Sequence, residues 1–137
     1  MKINLKLISG CKFEGTNARG NKAIIEGSPD MGRKDEGVRP MEIILMGLAG
    51  CSSLDVMHIL QKGKAEVLDL EVDVQAERAD AIPAVFTKIN LHFKAKGTFT
   101  KEKLERAISL SMEKYCSVTK MLESTVKITT SYELKNE

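Results

Sequence analysis

A chain of 137 residues with 42% hydrophobic and 29% charged side chains has the length and composition of one globular domain that buries a single core without staples. Its net charge of +2 is too small to make a phosphate backbone the main partner. The few aromatics, 4% of residues with no tryptophan, are not interleaved with basic clusters as single-strand binders require, so no nucleic-acid partner is expected.

Core volume must then come from Leu, Ile, Val and seven Met. The expected organisation is one domain over residues 1–137, with no internal repeat or low-complexity segment. At the N-terminus Ile3, Leu5 and Leu7 alternate with Lys2, Asn4 and Lys6, and "SG" offers a turn before a second strand that holds Cys11 and Phe13. This opening lacks the unbroken apolar stretch of a secretory signal, so a cytoplasmic location is expected. Thiols stay reduced there, and two that work together are redox-active or metal-binding more readily than a structural staple. A third strand is expected around Ala23 to Glu26. The stretch "GSPDMGRKDEGVRP" reads as a mobile loop ending at a helix start, with Pro40 suited to the first turn.

The next segment, "RPMEIILMGLAGCSSLDVMHILQK", is a long apolar helix. Its uncharged part, Ile43 to Leu54, falls well short of the roughly 20 residues of a membrane span, so the expectation is a buried helix and no membrane partner. Because it is apolar nearly all round, it must be covered on more than one side, which a homodimer would do. Beyond "KGK", Leu68, Leu70, Val72 and Val74 alternate with Asp69, Glu71, Asp73 and Gln75. After "DAIPA" a partner strand carries Ile89, Leu91 and Phe93 on one face and Lys88, Asn90, His92 and Lys94 on the other, completing an antiparallel hairpin. Thr100 is a candidate N-cap, with Glu102 in the first turn, for a helix that sets Leu104, Ala107, Ile108 and Tyr115 near one face and ends about Cys116. A short helical piece, "SVTKML", precedes a last strand with Val126, Ile128, Tyr132 and Leu134 in register. The order implies an α+β domain of antiparallel sheets packed on a long central helix.

Three cysteines stand in different contexts. On an ideal helix Cys51 shares its face with Ile44, Gly47, Asp55 and His58, and Glu42 falls nearly opposite. Asp55 is the nearer carboxylate, but a carboxylate raises a thiol pKa, so activation of Cys51 needs a positive group from elsewhere. Gly47 and Gly50 each cost a helix roughly 1 kcal/mol relative to alanine, which suggests close approach by another backbone or a substrate. Cys116 precedes a helix start, where free N–H groups favour a thiolate; Cys11 has no such context. No CxxC occurs and the two histidines have no Cys at short spacing, so neither a metal nor a cofactor is expected. The plainer reading of Cys51 is an inert core thiol, since free cysteine is among the most buried residue types. Likewise His58, Arg39 and Arg78 read as ordinary surface or satisfied residues, and the methionines as packing.

"PMEIILMGLAGCSSLDV" followed by "EKYCSVTKML", with "ERADAIPAVFTKINLHF" between them, resembles the OsmC/Ohr family, the osmotically inducible and organic hydroperoxide resistance proteins. The resemblance covers almost the whole chain and points to the branch with a Pro-Met-Glu helix start. It implies an OsmC-like fold in an intertwined homodimer, with each active site at the subunit interface. It also implies that Cys51 attacks the O–O bond of an organic hydroperoxide and becomes a sulfenic acid, which Cys116 resolves as a disulfide. A dithiol or lipoylated protein would then reduce that disulfide. The family pairs a glutamate directly after the helix-opening proline with an arginine from the N-terminal sheet. Here Met41 holds that position and Glu42 comes one later, a turn of about 100°. Arg19, in "NARGN", is the nearest match for the arginine, and Arg78 is a substitute by charge alone.

Two other readings stand beside the peroxidase. One is a non-catalytic OsmC-like dimer that binds a small apolar or thiol-reactive ligand or acts as a redox sensor. The other is a structural dimer with inert thiols.

Overall fold

The computed structural model describes residues 1–27 and 35–135, and the chain divides into two compact units, Met1–Met46 and Gly47–Glu137. Of the Gly- and Pro-rich stretch expected to be a mobile loop, residues 28–34 lie outside the described residues.

In the first unit the alternation seen in the sequence gives an antiparallel meander of β1 (Ile3–Ser9), β2 (Lys12–Asn17) and β3 (Lys22–Glu26). Phe13 sits opposite Leu7 on one side and Ile25 on the other. The β1–β2 turn uses Gly10 at φ 53, a left-handed conformation that glycine adopts without steric cost. Cys11 lies in this turn, not in the strand expected for it. The segment after the described gap is pinned to β3: Val38 N–H donates to the Ile24 carbonyl at 3.0 Å and Glu26 N–H to the Val38 carbonyl at 2.9 Å. The buried Glu26 carboxylate accepts from the N–H groups of Glu36 and Gly37 at 2.6 and 2.9 Å. A Cβ at Gly37 would stand 2.9 Å from the Ile24 carbonyl oxygen, so only glycine fits this approach.

Helix α1 (Pro40–Lys62) starts at the proline, as expected. Glu42 reaches back to accept from the Arg39 N–H at 2.8 Å, half of a capping box, which satisfies a donor the helix itself cannot. At 23 residues the helix is long and apolar enough to cross a membrane by length and composition, which the shorter uncharged run did not suggest. Its stripe Leu48, Ser52, Val56 and Leu60 is nevertheless buried inside this chain at helical spacing. The opposite side leaves Met46 and Leu54 exposed. Beyond the adjacent residues and the helix's own backbone, no described atom comes within 4 Å of a Cβ built at Gly47 or Gly50, so the described residues do not make the close approach expected there.

The second unit holds a sheet ordered β4 (Val67–Arg78), β5 (Phe86–Gly97) and β6 (Lys127–Leu134), with β5 central. Ile89, Leu91, Phe93 and Ala95 alternate inward from β5, each 1% exposed or less. Its other face is polar: Lys94 pairs with Asp73 at 2.6 Å, and the His92 ring lies 2.8 Å from Ser131 Oγ and 3.1 Å from Glu133 Oε1. The β4–β5 hairpin is antiparallel as expected, but β6 runs parallel to β5, which corrects the expectation of antiparallel pairing throughout. The physical reason is the helical connection between them. It carries the chain back to the start of β5, and a crossover of that length is what parallel neighbours need.

That crossover contains α2 (Lys101–Leu110), a π-helical turn (Ser111–Tyr115) and α3 (Ser117–Leu122). Thr100 caps α2, its side chain accepting from Lys103 N–H at 3.2 Å. Leu104, Ala107 and Ile108 are buried as expected. Tyr115, expected on the same face, is exposed. The cause is the π turn: Cys116 N–H donates to the Ser111 carbonyl, five residues back, at 2.8 Å. One extra residue in the turn rotates the following positions by about 100°, so Cys116 takes the inward place a regular helix would have given Tyr115.

Candidate functional site

Three side chains of the second unit converge. Cys51 and Asp55 stand one turn apart on α1, flanking its buried stripe, and Cys116 follows the π turn; their Sγ and carboxylate oxygen atoms all lie within 4.8 Å of one another. Cys51 and Asp55 are half-buried, whereas Cys116 is fully buried. Two of the three are held by a further group. Ser111 donates its hydroxyl to Asp55 Oδ2 at 2.9 Å and lies 3.5 Å from the Ser52 carbonyl, which ties the π turn to α1. Thr119 N–H donates to Cys116 Sγ at 3.4 Å, and the Thr119 hydroxyl in turn meets Met112 Sδ at 3.7 Å.

Burial pushes the Cys116 thiol above its ordinary value. The Thr119 hydrogen bonds oppose that shift, and the neighbouring Cys51 thiol adds to it. Cys116 is therefore a protonated thiol at neutral pH, kept from solvent behind a more accessible Cys51. Chemically, such a pair can close a disulfide if one sulfur is oxidised, and with Asp55 it offers two sulfurs and an oxygen to a single acceptor.

Beside Asp55 lies a cavity of about 510 Å³, lined also by His58, Ile59, Lys62, Leu110 and Tyr115. A cavity of about 580 Å³ on the polar face of the β4–β6 sheet, over Gln75, Lys88 and Asn90, includes none of the three site residues. The first is the one that bears on the thiols, because Asp55 belongs to both.

Of the residues singled out from the sequence, the structure brings Cys51 and Cys116 together. Arg19 lies in the exposed turn between β2 and β3, where its N–H donates to Asn17 Oδ1 at 3.1 Å. Glu42 caps α1. Both belong to the first unit. Arg78 donates through Nε to the Ala84 carbonyl at 2.8 Å and so holds the β4–β5 connection. Cys11 stands apart in the first unit. Ser111 was not singled out from the sequence. Its one readable signal was a serine at an inward position of an otherwise apolar helical face, after Leu104 and Ala107.

The chain is thus an α+β protein that sets one cysteine on a long helix against a second at the end of a returning helix. The family model for OsmC-like proteins matches residues 33–131, and the chain belongs to that family. The Escherichia coli K12 protein YhfA is 44% identical over 135 residues, 98% of each chain. A crystal structure of a hypothetical protein from Aquifex aeolicus VF5 superposes with a TM-score of 0.88 at 31% identity, over 99% of this chain and 96% of that one. At 16% identity, the organic hydroperoxide resistance protein OhrB of Bacillus subtilis shares the fold, with a TM-score of 0.64 over 97% of this chain and 98% of its own.

Proposed function

We propose that this protein is a thiol-dependent organic hydroperoxide reductase in which Cys51 is the nucleophile and Cys116 the resolving thiol. The observation that carries the reading is the convergence of a half-buried and a fully buried cysteine from two helices. A Cys51 thiolate attacks the distal oxygen of ROOH, the O–O bond breaks, and Cys51 becomes a sulfenic acid while the alkoxide leaves and takes up a proton as ROH. The Cys116 thiol then displaces water from the sulfenic acid to form a disulfide, which protects Cys51 from irreversible oxidation. A dithiol, such as a lipoylated protein, returns both cysteines to thiols and leaves as its own disulfide. Ile59 and Leu110 give the cavity beside Asp55 an apolar wall, which suits organic peroxides better than hydrogen peroxide.

A thiolate beside Asp55 needs a cation, and Arg19, with Glu42 as its partner carboxylate, is the proposed source. The whole chain acts as one OsmC-like domain in a cytoplasmic homodimer, whose partner copy would cover the exposed side of α1 at Met46 and Leu54. The fold shared with a named organic hydroperoxide resistance protein supports this reading.

A second reading rests on Glu42, which sits one residue past the family's glutamate position and spends one oxygen on the Arg39 cap. Without an activated thiolate, the same fold would bind a small apolar or thiol-reactive ligand or act as a redox sensor. One experiment separates them. Fully reduced protein is mixed with one equivalent of cumene hydroperoxide, then mapped within seconds by non-reducing mass spectrometry. Loss of two hydrogens with a linked Cys51–Cys116 peptide is expected, and unchanged mass at that time would sink the peroxidase reading.

A further inference from the structure

We infer that Cys51, Asp55 and Cys116 form a binding site for a zinc-class divalent ion, with the fourth position open. The sequence hides such a site, because its ligands come from two distant segments with none of the short spacings by which zinc sites are recognised.

Four features support it. The donor set of two sulfurs and one carboxylate oxygen suits a borderline-soft ion that prefers four ligands, and is a poor match to Mg²⁺ or Ca²⁺, which want oxygen throughout. The spacing falls in a range that admits the ion. Zn–S bonds of about 2.3 Å in a tetrahedron put two sulfurs about 3.8 Å apart, and no two donor atoms here are separated by more than 4.8 Å. A disulfide, by contrast, needs the sulfurs drawn in to about 2.05 Å. Ser111 Oγ on Asp55 and Thr119 N–H on Cys116 are the outer hydrogen bonds that orient metal ligands. Finally, Asp55, alone of the three, also lines the cavity with His58 and Lys62, so the carboxylate side of the cluster borders open space.

The ion binds the two sulfurs as thiolates together with one carboxylate, and any S–H proton it displaces goes to solvent. The same two sulfurs cannot hold the ion and be joined to each other. Oxidation of the pair by a hydroperoxide forms the S–S bond, reduces ROOH to ROH and water with two protons taken back from solvent, and therefore expels the ion. This redox arm rests on the peroxidase reading; the metal site itself does not.

The test uses the reduced full-length protein. Titration with Co²⁺ as a spectroscopic probe is expected to give one ion per chain and a thiolate-to-metal charge-transfer band, lost in Cys51→Ser and displaced by Zn²⁺. Asp55→Asn and Ser111→Ala are expected to weaken binding by about 10- to 100-fold. Independently of any variant, Zn²⁺ should slow alkylation of Cys51 in the wild-type chain about tenfold or more, while Cys11, outside the cluster, reacts at an unchanged rate. A band that survives Cys51→Ser, or alkylation of Cys51 slowed no more than that of Cys11, overturns the site. Zinc binding without hydroperoxide consumption would keep the site and remove the peroxidase reading; hydroperoxide consumption without zinc binding would do the reverse.

Discussion

The two sheets are both three-stranded and similar in sequence pattern, yet they use their apolar residues differently. In the β4–β6 sheet the central strand sends Ile89, Leu91, Phe93 and Ala95 into a closed core. In the β1–β3 sheet all seven residues of β1 are exposed, Leu5 and Leu7 at 53% and 54%. An alternating strand marks a face that is to be covered; it does not say by what. In the second unit the chain covers its own sheet, whereas β1 and the outer side of α1 carry apolar side chains left exposed among the described residues, which is what the proposed dimer would use.

The largest expected effect tests that contrast. Phe93→Ala should cost about 3–5 kcal/mol in urea unfolding, and Leu5→Ala should stay within about 0.5 kcal/mol if the chain alone sets stability. A loss of more than about 1 kcal/mol at Leu5 would mean that a second copy covers β1. Next, if the proposed dimer forms, Leu54→Lys, at a position 72% exposed in the chain, is expected to weaken it about tenfold or more, read by sedimentation. An unchanged dimer would move the interface away from this side of α1.

Cys116 offers a sharper probe of the second unit. Its folded pKa is raised from an ordinary value of 9.0 by burial, so the folded state holds the thiol proton more tightly than the unfolded chain does. Stability is fully present below the unfolded value and falls as pH rises from there through the folded value. Unfolding measured across that alkaline range should show the decline in wild type and lose it in Cys116→Val.

In the first unit, Glu42→Gln keeps an oxygen for the Arg39 cap but removes the charge. Stability should change by less than about 0.5 kcal/mol, and hydroperoxide consumption should fall about tenfold if the carboxylate serves Arg19. An equal rate would leave Glu42 as a cap alone. The smallest effect belongs to the polar face of β4–β6. Hydrogen bonding to Lys94 lowers the Asp73 pKa, and hydrogen bonding to His92 lowers that of Glu133. Their stabilisation is present above the ordinary carboxylate range and is lost as pH falls through the lowered folded values. Asp73→Asn should slightly flatten the acid limb of unfolding, and no flattening at all would mean that the Lys94 pair is fully screened.

Much of the fold was legible along the chain because it rests on local rules. Period-two alternation marked the β5 core face, Pro40 marked the start of α1, and Thr100 marked the cap of α2. The two site cysteines could be named from the motifs around them. What the sequence by itself determined is therefore which segments are strands and helices and which faces are apolar. Three things were decided only by the tertiary structure. The parallel placement of β6 depends on where a helical crossover delivers the chain. The π turn that brings Cys116 inward in place of Tyr115 depends on one extra residue in a turn, which a regular helical period cannot anticipate. The meeting of Cys51 and Asp55, one turn apart on α1, with Cys116 and Ser111 depends on two helices packing at close range, and no spacing within either helix encodes that distance.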